Sequence, residues 1–495
     1  MTRHDDDLVA EGTLPSAWAT RWRERPDDPA IGGGSQGWLT NRDLDQRTAA
    51  VATVLERTGL RDGDRVIVSG PTTVELVVVH VAALRAGLVV VPVNPAFTRP
   101  EFEGLLTAAA PRAVLAAGHL VSWARGAGPD LAVIDLTVLV AAAEITPTDE
   151  APAAADLDRA APGDVALLAF TSGTTGRPKG VPLTHANLLA GAEALRRAWA
   201  WTPRDRLILS LPLFHMHGLG VGVHGTLLAG ASAVLIERFE PEAILHAAAQ
   251  PRATLFFGVP TMYARLADAP GVERLANLRL CVSGSAPLSA ELHRRIREAT
   301  GQVVLERYGM TETVMLTSNP LGGERRPGTV GRPLPGVELR LDPGTDEIQV
   351  RGPNVFGGYL DQPEANQQAF TADGWFRTGD VGRLDADGFV SIVGRAKDLI
   401  ITGGYNVYPA EIEEVLRTHP AVADAAVAGL ASPEWGEIVG AWLEIRAGSP
   451  ALDLDELRGW CAQRLVAYKR PRHLQVVDAL PRNALGKVQR GELPR

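Results

Sequence analysis

Apolar positions between residues 40 and 170 change period several times. "LDQRTAAVATVLERTGL", residues 44–60, spaces its apolar residues as one face of a helix. "DRVIVSG", "GLVVVPVN", "AVLAA" and "LAVIDL" are short apolar runs bounded by turn residues, and they predict buried strands. This alternation predicts an α/β fold with mostly parallel sheets. "VELVVVHVAALRAGLVVVPV" is the most apolar run, but His80, Arg85 and Gly87 interrupt it. It predicts a buried helix followed by a buried strand rather than a membrane span. "EITPTDEAPAAADLDRAAPGD" has little core-forming pattern and predicts a connector. A second α/β stretch follows over 180–320. From about 328, "GTVGRPLPGVELRL", "EIQVRGPNVFGGYL" and "GFVSIVGRAKD" predict short strands joined by Gly/Pro turns. Beyond 398 the pattern changes to a compact α+β unit of about 100 residues. Its helix "PAEIEEVLRTHP" begins at a proline. No internal repeat is present, and the Ala-rich patches are compositional bias.

A chain of 495 residues is too long for one core and predicts two or three domains. The net charge of −9 and pI near 5.7 argue against a nucleic-acid binder or a polybasic membrane-surface protein. Cys281 and Cys461, far apart, predict a reducing, cytoplasmic setting rather than a disulfide framework. The N-terminal "MTRHDDDLVAEG" is acidic and carries no apolar signal core. Lysine occurs at only four positions, Lys179, Lys397, Lys469 and Lys487, against 49 basic residues in all. A GC-rich genome, which favours arginine codons, is the bland explanation of the bias towards arginine. Under that drift, surviving lysines are candidates for sites needing a compact ammonium. Lys469 is the one best explained as a chance survivor.

"TSGTTGRPKG", residues 171–180, follows the apolar strand "DVALLAF". It fails the Walker pattern, because Gly176 is followed by Arg177 and Pro178, and Lys179 by Gly180. Its chemistry still suits phosphate. Glycine lets amides face an anion, hydroxyls donate, and Arg177 and Lys179 bring positive charge. An ordinary Gly/Ser/Thr loop is the alternative.

This stretch joins "LPLFHMHGLG", "VSGSAPL", "ERYGMTET", "WFRTGDVG", "IVGRAKDLIITGGYNVYPAEIE" and "PRNALGKV". Together, in this order over about 170 to 490, they resemble the adenylate-forming superfamily of acyl-CoA synthetases, luciferases and peptide-synthetase adenylation domains. The resemblance implies a large N-terminal domain, 1–396, with stacked, mostly parallel sheets and a β-rich part from about 328. It implies a small mobile α+β lid, 397–495, hinged at Lys397. The reaction implied is ATP-dependent activation of a carboxylate to an acyl-adenylate, then acyl transfer. Thr171, Ser172, Gly173, Thr174, Thr175, Gly176 and Lys179 would grip the β- and γ-phosphates. Glu312 would hold Mg2+, and Thr311 would contact the α-phosphate. Gly284, Ser285, Ala286, Pro287 and Tyr308 would frame adenine, with Glu306 beside them. Asp380 would accept from the ribose hydroxyls, assisted by Arg395. Lys487 would bridge the reacting carboxylate and the α-phosphate.

For the acceptor, "LFHMHG" lacks the acid that would pair an amino group, and with eight residues after Lys487 no carrier domain is expected. "ITGGYNVYP" resembles the loop lining the pantetheine tunnel of CoA ligases, where Gly403 and Gly404 permit close approach. Coenzyme A is the expected acceptor, with His215 as gate between the half-reactions. For the acid, Arg307 and Arg265 stand in apolar surroundings and need anionic partners. Converging on one pocket, they would bind a second carboxylate. "LERYGMTET", "GVPTMYAR" and "TSNP" resemble malonyl- and methylmalonyl-CoA synthetases, with Met216, His217 and Met310 lining the pocket. Three alternatives stand beside this reading. Arg265 would instead pair with Asp268, leaving a monocarboxylate–CoA ligase. A luciferase shares the first half-reaction. A catalytically silent homologue is opposed by the intact Lys179, Glu312, Asp380, Arg395 and Lys487. A monomer and a homodimer both remain open.

Overall fold

The computed structural model describes residues 7–33, 37–128, 131–144, 157–171, 178–402, 405–432, 434–449, 452, 454–484 and 486–494. The apolar runs form two large sheets. In the first, nine strands run in the order 332–333, 317–318, 305–308, 280–283, 255–258, 206–209, 232–235, 29–33 and 38–40. The six from 305–308 through 29–33 are parallel; the strands beyond them at either end are antiparallel. In the second, six strands run 132–135, 113–116, 65–69, 89–92, 165–171 and 179–184, and only the last pairing is antiparallel. Strands such as "LFFG" and "LCVS" are buried along their whole length. That explains why they read as continuous apolar runs rather than alternating ones.

The run Val74–Arg85 is the expected buried helix, and it packs against strands of both sheets. Each interruption in it has a partner or a backbone role. His80 Nε2 lies 2.8 Å from His224 Nε2. Gly87 turns the chain at φ +72° before strand 89–92. Arg85 is 2% exposed and donates to both oxygens of Asp158, to Asp45 Oδ1 at 2.7 Å and to Thr48. Burial raises the Asp158 carboxyl pKa, and Arg85 opposes that shift. One buried ion pair thus pins the end of the connector to the helix.

A third, antiparallel sheet of strands 338–341, 347–351, 376–384 and 390–395 accounts for the expected β-rich stretch. A fourth sheet gathers 405–407, 400–402, 436–445, 422–432 and 473–476. With helices Pro409–Arg417 and Leu454–Ala462 it encloses a separate core that includes Ile412, Leu416 and Leu457. The architecture is therefore α/β with large stacked sheets and a small α+β C-terminal unit. Lys469 is bound there by both carboxylate oxygens of Glu411 at 2.7 Å, so it has a structural partner. No helix of the described residues is long and apolar enough to cross a membrane.

Replacing Arg85 by Met should destabilise the fold by about 3 kcal/mol, because it leaves Asp158 buried without its cation. A lowered midpoint in denaturant unfolding is the expected result.

Candidate active site

Strands 280–283 and 305–308 lie side by side in parallel, so the segments leaving their C-terminal ends meet. Gly284–Pro287 leaves the first, with Ser285 at φ +70°. Glu306, on the second, accepts from Leu288 N at 3.3 Å and anchors that loop from behind. Burial pushes its carboxyl up to about 7, against the backbone donors of Leu288 and Gly328. Tyr308, two residues on, donates to Asp380 Oδ2 at 2.5 Å. Arg395 Nε meets the other oxygen of Asp380 at 3.0 Å. Asp380 and Arg395 are direct cross-strand partners in the third sheet, which is why two residues fifteen apart in sequence form one pair.

Glu312 sits in the short helical turn Thr311–Thr313 and is buried. Burial raises its pKa; Tyr359 donates to its Oε1 at 3.0 Å. The Lys179 ammonium lies 4.7 Å above the Tyr359 ring. Thr171 and Lys179 face each other across an antiparallel pair. Ser172, Gly173, Thr174, Thr175 and Gly176 lie outside the described residues, as do Gly403 and Gly404. Among the described residues no group of three or more His, Cys, Asp or Glu is placed to hold a metal. A single buried carboxylate, with phosphate oxygens to complete the shell, matches the donor set magnesium takes. Glu312 therefore fits Mg2+.

Lys487 occupies a turn closed by Asn483 N to Lys487 O at 2.9 Å, with Gly486 at φ +74°. The turn docks on helix Pro260–Ala267, where a Cβ on Gly486 would stand 2.8 Å from Thr261 Oγ1. Burial pushes the Lys487 ammonium down to about 8; Arg395 acts in the same direction, and Asp380 and Asp398 oppose it. The C-terminal unit thus brings its lysine within the electrostatic reach of Asp380 and Arg395. Lys397 lies in the turn Ala396–Asp398 between the third and fourth sheets. Asp398, beside it, pairs with Arg490 at 3.3 Å, a link the sequence pattern did not single out.

"FHMHG" leads into a π-helical segment, His217–Val223, entered by Val221 N to Met216 O at 2.8 Å. Such segments recur at functional sites. His217 Nδ1 lies 3.3 Å from Ser285 Oγ; its Nε2 is buried with no partner among the described residues. Burial, with Arg307 nearby, holds the ring well below its usual pKa. Burial alone pushes His215 down to about 4, so both rings are neutral at pH 7. Arg307 is buried, and its guanidinium lies against Gly284. A Cβ there would be 2.5 Å from Nε. Among the described residues Nε and Nη2 have no partner, and burial pushes the group down to about 9. Met216 and Met310 pack as partly buried residues against the main core.

Arg265 corrects the expectation of two converging arginines. Helix Pro260–Ala267 turns Tyr263 and Leu266 inward and Arg265 outward, 55% exposed. There it pairs with Glu240 at 3.2 Å and covers the Phe239 ring. Nor does it pair with Asp268, which Arg295 engages. Arg307 remains as the buried cation. Tyr359, by contrast, went unrecognised. Its signal, "GGYL", is a turn pattern whose partners lie far away in sequence.

The AMP-binding enzyme family model matches residues 18–360, and the AMP-binding enzyme C-terminal domain model matches 411–487. Feruloyl-CoA synthase of Amycolatopsis sp is 37% identical over 96% of this chain and 97% of that protein. ATP-bound MatB from Rhodopseudomonas palustris is 38% identical, with TM-score 0.90 over 97% of this chain and 98% of that one. A malonyl-CoA ligase product complex with methylmalonyl-CoA and AMP is 43% identical, with TM-score 0.66 over 92% and 97%.

With only four lysines in the chain, 13C-methylated lysine NMR resolves each ammonium. Lys487 should titrate near pH 8. Asp380→Asn should move that titration lower, because a neutral neighbour no longer favours the charged form.

Proposed function

The chain belongs to the AMP-binding enzyme family as an AMP-forming acid–CoA ligase using ATP, Mg2+ and CoA, and we propose that its acid is malonate or methylmalonate. The observation carrying this reading is Arg307, a buried cation whose Nε and Nη2 have no partner among the described residues, beside His217 and the Gly284 loop. A buried guanidinium left unpaired is costly, and a substrate carboxylate is the partner it lacks. The acid's other carboxylate is the nucleophile.

In the first half-reaction that carboxylate attacks the α-phosphorus of ATP and pyrophosphate leaves. Both reactants are anions, so the task is charge neutralisation and alignment. Lys487 supplies the ammonium between them, and Thr311 donates to the α-phosphate. Lys179 and the 171–176 loop hold the departing phosphates. Asp380 with Arg395 orients the ribose, and Tyr308 and the Gly284–Pro287 loop frame the adenine. Magnesium, when bound, offsets phosphate charge; Glu312 would hold it.

In the second half-reaction the lid turns about Lys397 and withdraws Lys487. His215 gates thiol entry. The contrast in TM-scores supports this turn: the chain superposes better on ATP-bound MatB than on a product complex of higher identity. Two buried free cysteines support a cytoplasmic setting.

AMP formation with CoA tests the substrate reading, run with malonate and methylmalonate beside butyrate, octanoate and benzoate. Turnover of the diacids alone is expected; preference for monoacids overturns it. Arg307→Met should lower kcat/KM for malonate by about three orders of magnitude while sparing monoacids. Lys487→Ala should slow ATP–pyrophosphate exchange at least about 100-fold. In the wild type, kcat/KM for adenylation should fall as pH rises through about 8. The lysine is charged below that pH and loses its proton above it.

A further inference from the structure

Tyr359 touches two groups that the adenylation chemistry needs, yet no role above uses it. Its hydroxyl donates to Glu312 Oε1 at 3.0 Å, and its ring lies 4.7 Å beneath the Lys179 ammonium. These contacts come from different parts of the chain. Glu312 follows strand 305–308 of the nine-stranded sheet, and Lys179 opens the edge strand of the six-stranded one.

The backbone around Tyr359 is held from several sides. Leu360 N donates to Gly180 O at 2.9 Å, laying the segment along the Lys179 strand. Asn366 accepts from Tyr359 N at 2.6 Å and donates to Tyr359 O at 2.9 Å. Phe356 packs edge-on against the ring, 4.9 Å between centroids, and Phe356 N donates to Glu312 O at 2.9 Å. The segment 356–360 is therefore pinned to the Glu312 turn at one end and to the Lys179 strand at the other. A phenol in this frame has little freedom, so the carboxylate it meets has a fixed direction.

We propose that Tyr359 is a positioning residue for adenylation: its hydroxyl aims the Glu312 carboxylate and its ring seats Lys179, so that both meet one magnesium–nucleotide complex. The proposal rests on the reading of Glu312 as the magnesium-holding group. A ring serving only as packing would be indifferent to loss of its hydroxyl. A positioning hydroxyl is not, because a misdirected carboxylate weakens the metal without disturbing the core.

The test compares the wild type with Tyr359→Phe, Tyr359→Leu and Glu312→Gln. Calorimetry follows ATP binding without acid across a Mg2+ series, beside ATP–pyrophosphate exchange and thermal midpoints. Tyr359→Phe should need about ten-fold more Mg2+ for half-maximal ATP binding, with an unchanged midpoint. Tyr359→Leu should, in addition, weaken ATP binding at saturating Mg2+, because the ring under Lys179 is gone. If Glu312→Gln raises the Mg2+ requirement and Tyr359→Phe does not, the positioning role is overturned and the reading of Glu312 stands. If Glu312→Gln also leaves the requirement unchanged, the reading of Glu312 fails and the Tyr359 role falls with it.

Discussion

The buried carboxylate of Asp380 is the constraint around which the molecule is organised. One oxygen takes the Tyr308 hydroxyl from the nine-stranded sheet, and the other takes Arg395 from the antiparallel sheet. Its field reaches Lys487, which belongs to the C-terminal unit. Three separately built pieces of the fold thus share one buried charge. Burial makes each contact worth more than on the surface, because water does not compete for the partners. It also makes each contact obligatory, since a charge stripped of its partners in this setting is strongly destabilising.

Around that anchor the site is built for anions. Lys487 and Arg307 are both buried enough to have their charged forms disfavoured. Arg307 keeps two nitrogens without a partner among the described residues, pressed against a glycine that leaves it room. A folded chain tolerates such groups where a ligand completes them. The two nearby histidines, driven neutral by burial, add no competing charge. The acidic groups, Glu306 and Glu312, are similarly penalised by burial and are held by a backbone donor and by Tyr359. The pattern is a set of fixed, desolvated charged groups, the kind of arrangement that stabilises developing charge without reorganisation.

Much of the fold was legible, because burial imposes periods on the chain. The fully buried strands read as apolar runs, and the helix Val74–Arg85 reads as apolar on all faces because it packs between sheets. Candidate site residues could be named from the sequence where they sit in short contiguous motifs, as with Asp380 in "TGD" and Lys487 in "ALGKV". The placement of the arginine pair was not legible. Arg265 and Arg307 both follow apolar stretches, but helix phase sends the first outward, whereas strand pleat and Gly284 keep the second buried. Local pattern carries no absolute direction for a side chain at the end of an element.

The sequence by itself determined the α/β alternation and the change to an α+β unit after residue 398, and it pointed to a phosphate-type loop and to the residues of a candidate site. These follow from hydrophobic period and from contiguous motifs, both local properties of the chain. Only the tertiary structure decided which cation is buried, that Arg85 locks onto Asp158, and that Tyr359 stands between Glu312 and Lys179. Those arrangements depend on strand register and on packing between elements far apart in sequence, 47 residues for Tyr359 and Glu312 and 73 for Arg85 and Asp158. A backbone bond such as Leu360 to Gly180 uses no side chain. It therefore leaves no mark in the order of residues.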